Sequence, residues 1–226
     1  MRAGYTMAIL AALAAGSGCM RGADTDAARK KSGEHLLAIM KVSVVTAADN
    51  SDRWPDRASA LFVRGFLGPE ILANPRIGKQ VIDITKADFA AAAQAERDAR
   101  NAEMEAMAIS GDAKRQQERR AIIEKWHALS DGIEEKCDYV LGTAGVAADP
   151  YGRTDLGTLV IAWEKPQGLK DGINIIFGDW KVQFVPLADL PKVFELNNTL
   201  RRDKGFPEIA LKDGLPVAGP QPATGS

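Results

Sequence analysis

The stretch "KPQGLKDGINIIFGDWKVQFVPL", Lys165 to Leu187, decides how the second half of this chain folds. Ile173, Ile175 and Phe177 alternate on the way in, and Trp180, Val182 and Phe184 alternate on the way out, with Gly178-Asp179 between them. Alternation with a period of two is the signature of a strand with one buried face, and a Gly-Asp pair between two such runs predicts a hairpin. A two-residue turn at Gly178-Asp179 would set Phe177 opposite Trp180, Ile175 opposite Val182 and Ile173 opposite Phe184, giving one wholly apolar face. Something amphipathic must cover that face.

The cover is found near the start. Within "AARKKSGEHLLAIMKVSVVTAA", Leu36, Ile39, Met40, Val44 and Ala47 recur at three- and four-residue steps behind a basic start, which predicts an amphipathic helix from Ala27 to about Ala47. Turn-rich "DNSDRWPD" ends it, followed by a short helical piece at "RASALFVRGF" and a turn at "GPEILANP". "KQVIDIT" has the texture of a short strand, and Thr85 with Asp88 three residues on offers a capping box. From Lys86 to Ile109 the Ala, Glu, Arg and Met content is strongly helical. "SGD" breaks that helix and recaps a second one carrying Ile122, Ile123, Trp126 and Leu129, so the pair forms a helical hairpin. "TLVIAW", Thr158 to Trp163, is a continuous apolar strand, Leu190 to Arg202 a final amphipathic helix, and the Pro- and Gly-rich residues from Gly205 an irregular tail.

The 226 residues are 46% hydrophobic and 26% charged with a formal net charge of -1, enough apolar content for one core. The near balance of Lys and Arg against Asp and Glu removes the electrostatic footprint of a nucleic-acid binder. "MRAGYTMAILAALAAGSGCMRGADTD" has Arg2, an apolar core from Met7 to Ala15 and small residues before Cys19, the layout of an export signal too short to span a bilayer. The run ending at Cys19 resembles a bacterial lipoprotein signal, with Gly16 where a Leu is usual, which implies Cys19 as the lipidated N-terminus. Plain secretory cleavage is the alternative, and Cys19 would then be free to pair with Cys137, the other cysteine. "GYTMAIL", Gly4 to Leu10, also resembles a worn prepilin leader junction, with Ile9 in place of the acidic residue.

No catalytic motif is present: no Gly-x-Ser-x-Gly elbow, no phosphate-binding loop and no His-Glu-x-x-His. His35 and His127 each sit on a predicted helix without metal-ligand spacing, and Cys137 beside Asp138 reads as a small buried hydrophobe at a strand start. The expectation is a non-enzyme without a cofactor. Asp149 and Asp155 in "DPYGRTD" offer oxygen ligands for Ca²⁺, but Arg153 between them opposes a cation, and Asp, Pro and Gly are what a surface turn requires.

Two segments together carry a family resemblance. Ala28 to Arg76, with its basic stretch, amphipathic helix and "AADNSDRWP", resembles the region after the membrane spine of type II secretion pseudopilin-like proteins. "CDYVLG" and the opening hairpin resemble their prepilin-type processing-associated domain, whose usual form is a His, nine residues, then Asp-Gly. Gly172, Asn174, Phe177, Asp179, Val182 and Phe184 match in place, whereas Leu169, Trp180 and Lys181 replace the family's His, Gly and His. The resemblance implies an α+β fold, a pilin-like head in which the N-terminal helix lies on a small antiparallel sheet, with Gly172, Asn174, Phe177 and Asp179 as structural motif residues. It divides the chain into a signal peptide at 1–18, a tether at 19–26, head at 27–85, an inserted helical hairpin at 86–131, sheet and final helix at 132–204, and a tail at 205–226. The expected function is an exported structural or interaction protein, anchored in the bacterial cell envelope by an N-terminal lipid and facing the periplasm or outside, with partners in type II secretion or pilus-type machinery. The alternative is a periplasmic lipoprotein that binds a small ligand or Ca²⁺.

Overall fold

A computed structural model describes residues 23–49, 54–108, 113–143, 146, 157–212 and 214–217. The helices are α1 (Ala23–Asp49), α2 (Ala58–Val63), α3 (Lys86–Ala108), α4 (Ala113–Lys136) and α5 (Leu190–Asp203). β1 (Tyr139–Leu141), β2 (Val160–Glu164), β3 (Gly172–Phe177) and β4 (Val182–Pro186) form an antiparallel sheet in the order β1-β2-β3-β4. β5 (Leu211–Lys212) and β6 (Leu215–Pro216) form a separate two-stranded ribbon.

The sheet is buried on both faces. Tyr139, Leu141, Ala162 and Ile176 join α1 and α2 in one apolar cluster around Leu36, Ile39, Met40 and Leu61. Val140, Val160, Trp163, Ile173, Ile175 and Val185 join α5 through Leu190, Val193 and Phe194 in the other. Trp163 and Phe194 meet edge to face with centroids 5.2 Å apart, the arrangement aromatic quadrupoles favour. The layers are therefore α1, sheet, α5.

This overturns the expected pilin-like head. The described residues form a mixed α+β structure around an open four-stranded sheet with helices on both faces, not a closed head in which one helix covers one apolar face. The opening hairpin explains why. Its loop holds three residues, Gly178, Asp179 and Trp180: the Phe177 N–H donates to the Lys181 carbonyl at 3.0 Å and the Trp180 N–H to the Phe177 carbonyl at 2.9 Å. Trp180 takes the left-handed conformation at φ 67°, as the last residue of a three-residue hairpin loop does. The extra loop residue slides β4 by one position, so Ile176 opposes Val182, Ile175 opposes Gln183 and Ile173 opposes Val185. A slip of one residue reverses every side chain. Ile173 and Ile175 accordingly face α5, while Asn174, Ile176, Val182 and Phe184 share the face that α1 covers.

Other elements differ locally. Residues 79–85 form no strand, and Pro69 lies in a turn. Asn74 instead caps a 3₁₀ turn at Pro75–Ile77, its side chain accepting from the Arg76 N–H at 2.9 Å. The Asp88 N–H donates to Thr85 Oγ1 at 3.0 Å, starting α3 at its cap. α2 ends in a paired-bond cap in which Gly65 at φ 76° lets Gly65 and Phe66 N–H groups reach the Phe62 and Leu61 carbonyls at 2.9 and 3.1 Å. The chain after α5 is not irregular throughout. Asn198 exchanges two 2.8 Å bonds with the Ile209 backbone, and the β5–β6 ribbon follows.

Candidate functional site

A charged interior lies between α1 and the sheet. Glu164, last residue of β2, is fully buried, and its carboxylate collects donors from three elements. Arg76 Nη1 at 2.6 Å and the Asn174 backbone N–H at 2.7 Å donate to Oε2, while Asn174 Nδ2 at 3.2 Å and the Ser32 hydroxyl of α1 donate to Oε1. Arg76 continues to Asp171 at 2.6 Å and to the Gly172 carbonyl at 3.0 Å. Arg29 on α1 completes the group, pairing with Asp171 at 3.3 Å and stacking 4.1 Å over the Phe184 ring. Away from the exposed Asp26, which lies 3.5 Å from Arg29 at the edge, two carboxylates thus face two guanidiniums, a balanced set. Hydrogen-bonded, balanced charge is the form in which ionised groups survive burial.

A chain of hydroxyls extends from it. Ser32 Oγ lies 2.9 Å from the Tyr139 hydroxyl, which lies 3.3 Å from His35 Nδ1, and that nitrogen is 3.2 Å from the Ala73 carbonyl. Burial holds the His35 imidazole below its ordinary value and pushes the Tyr139 phenol far up, so both are neutral. This is Ser, Tyr, His and Glu in one bonded line, yet the positions that a substrate atom needs are filled by protein. The arrangement sets where α1 sits.

A second group joins the end of α4 to the sheet. Glu134, raised by burial, accepts from the Ser59 and Ala58 N–H groups at 2.9 and 3.3 Å and so caps α2 from another helix. Lys165 Nζ donates to the Glu134 carbonyl at 2.7 Å at the α4 C-terminus, where a cation meets the helix dipole favourably. Cys137 between them is fully buried, and desolvation pushes its thiol well up, away from the thiolate that nucleophilic chemistry needs.

The structure disperses the residues singled out in the sequence. Gly172 opens β3, where a Cβ would lie 2.3 Å from the Val185 carbonyl oxygen, so the position admits no side chain. Asn174 belongs to the charge cluster and also donates to the Arg29 carbonyl at 2.9 Å. Phe177 is half-buried in the α5 cluster, and Asp179 pairs with Lys181 at 2.5 Å in the loop. His127 is exposed on α4. Cys19, Asp149 and Asp155 lie outside the described residues. Among the described residues no group of three or more His, Cys, Asp or Glu side chains could hold a metal ion, and no helix is long and apolar enough to cross a membrane.

The feature the sequence reading passed over is the seam of the α3–α4 hairpin. Ala92, Ala95, Ala99 and Ala102 are buried along α3 at steps of three and four, against Arg119, Trp126, Ser130 and Ile133 along α4. Small residues at heptad spacing let two helices approach closely, and they read in the sequence as mere helix propensity. Both outer faces of the hairpin are exposed along their length, with Met104 at 54% and Ile122 at 38% exposure. α2 is packed against both arms. No family model matches this chain, nor does any curated protein or solved structure.

Proposed function

We propose that this chain is an exported interaction protein of the bacterial envelope, held at the membrane by a lipid on Cys19, with the α3–α4 hairpin as its contact arm. One observation carries the reading. A long two-helix arm, closed on itself by an alanine seam, exposes its charged outer faces and the apolar side chains Met104 and Ile122, while the body beneath it spends its buried charges on internal contacts. Such an arm is joined to the sheet only near the end of α4, through Glu134 and Lys165, and packs on the body chiefly through the short helix α2. The export-type N-terminus supplies the address. The likeness of Gly172, Asn174, Phe177 and Asp179 to the prepilin-type domain makes components of type II secretion or pilus-type machinery the first partners to examine.

The test has two parts. Intact mass of protein from a bacterial membrane fraction should show a diacylglycerol-type increment on a chain beginning at Cys19, and Cys19→Ala should release the protein from the membrane. A chain beginning at Tyr5 with a methylated N-terminus, or an unmodified soluble chain, would refute the lipid tether. Photo-crosslinking residues placed at Met104 and Ile122 should give a discrete adduct with an envelope protein, and absence of any adduct from both positions would refute the contact arm.

A further inference from the structure

Beside the root of the hairpin, a cleft of about 260 Å³ opens between α1, the end of α2 and α3. Its lining is Thr46, Val63, Arg64 and Phe66 on one side and Ala93, Glu96, Arg97 and Arg100 on the other. Glu96 lies at its base, 4% exposed, with Arg64 Nε at 2.6 Å from one carboxylate oxygen and Arg100 Nη2 at 3.6 Å from the other. Arg97 Nη2 meets the Gln94 side-chain oxygen at 2.8 Å. One carboxylate needs one cation, and Arg64 at hydrogen-bond distance supplies it. The cleft holds three guanidiniums against that single acid, a surplus of two positive charges.

We infer that this cleft binds a small organic oxyanion, a phosphate or carboxylate group carried on a compact apolar body. Three properties of the lining lead there. Glu96 fixes the Arg64 guanidinium by its Nε, which leaves the terminal nitrogens, the edge that grips phosphate and carboxylate in pairs, turned to other uses. Arg97 and Arg100, one helical turn apart on α3, add two more such groups on the same side. Val63 and Ala93 are buried apolar surface, and Phe66 stands at the rim, 46% exposed, with its backbone pinned by the bond from its N–H to the Leu61 carbonyl. An apolar wall with a few convergent polar groups is the composition of a small-molecule site. The volume suits a fragment-sized group.

The reading stands independently of the tether and the contact arm. Phenyl phosphate is the probe, with inorganic phosphate and benzyl alcohol representing its two halves, titrated into the full-length ¹⁵N-labelled chain. Phenyl phosphate should bind saturably, with shifts centred on the amides of residues 63–66 and 93–100, and each half should bind at least tenfold more weakly. Arg97→Gln with Arg100→Gln should weaken binding at least tenfold. The charge-matched pair Arg120→Gln with Lys125→Gln, on exposed α4 positions, should stay within twofold of the wild-type value. Absence of saturable shifts with phenyl phosphate, shifts centred elsewhere, equal weakening in both double variants, or inorganic phosphate binding as tightly as the probe would each overturn the assignment. Both double variants change exposed side chains, and their unaltered amide spectra confirm that each remains folded.

Discussion

Removing the charge of Glu164 should destabilise the protein by about 3 kcal/mol. Glu164→Gln keeps the shape and leaves Arg76 paired with Asp171 at 2.6 Å, so the guanidinium is not stranded. What is lost is the attraction across the 2.6 Å contact between Arg76 and Glu164. With charge centres about 4 Å apart and an effective dielectric of about 20, that attraction is about 4 kcal/mol. The amide needs less desolvation than the carboxylate, which offsets part of it, and breaking one partner of a buried pair typically costs about 3–5 kcal/mol. Against a total stability of about 5–15 kcal/mol the effect is large. Urea unfolding followed by far-UV circular dichroism and by tryptophan fluorescence measures it. Hydrogen exchange adds a spatial readout: Ser32 and the Arg29 carbonyl tie α1 to this cluster, so α1 amides should lose protection first. A loss below about 1 kcal/mol, or uniform loss of protection across all helices, would refute the claim that the cluster seats α1. Replacing both partners, Glu164→Leu with Arg76→Met, should recover part of the single-variant loss, because apolar replacement of a buried pair removes two desolvation costs at once.

Further expectations concern other parts of the core. The depressed His35 imidazole means that the unfolded chain binds more protons as pH falls through the ordinary histidine range, so stability drops from pH 7.5 to 5.5; His35→Gln should flatten that slope in urea midpoints taken at both pH values. Cys137 in a Cys19→Ala chain should resist a thiol reagent until unfolding, and labelling of the native protein at the rate of a free thiol would contradict its burial. Arg201, 1% exposed and held down to a pKa of about 10 by burial, serves the Asn197 side chain and the Pro207 and Gly142 carbonyls. Arg201→Met should cost about 2–4 kcal/mol by leaving acceptors unpaired, read from thermal unfolding.

The sequence carries the elements far better than their arrangement. Composition alone marks the two helices of the hairpin, since Ala, Glu and Arg dominate both arms, and the step of three and four marks α1. The hairpin register was not legible, because Gly-Asp suggests a two-residue turn whereas the chain tolerates Trp180 at φ 67°. That single residue decides which face of β4 meets α1, and with it whether the sheet has one apolar side or two. The charge cluster was equally hidden: Arg29, Arg76, Glu164 and Asp171 are ordinary surface residues by type and are joined by contacts spanning up to 142 positions. Only Asn174 drew notice, as a motif match, and its bonds to Glu164 and to the Arg29 carbonyl give that position a structural reason. The alanine seam was readable in principle, from the 92, 95, 99 and 102 spacing.

The Glu164 cluster and the Glu96 cleft part company by balance. At the sheet, Arg29 and Arg76 answer Asp171 and Glu164, the Arg76–Glu164 pair is almost fully buried, and every oxygen of Glu164 accepts a donor from α1, β3 or the Asn74-capped turn. A charge-balanced cluster whose Glu164 oxygens are all occupied has little left with which to bind a ligand, so its energy goes into fixing how helix and strands are registered. In the cleft beside the hairpin, Glu96 is answered by Arg64, while Arg97 and Arg100 add charge that the fold does not need for neutrality. Uncompensated charge on a partly enclosed surface costs self-repulsion in the empty protein, and an incoming anion removes that repulsion. The place to look for chemistry in this chain is therefore the unbalanced cluster at the root of the arm, and the buried Glu164 line, richer in catalytic residue types, belongs to the scaffold.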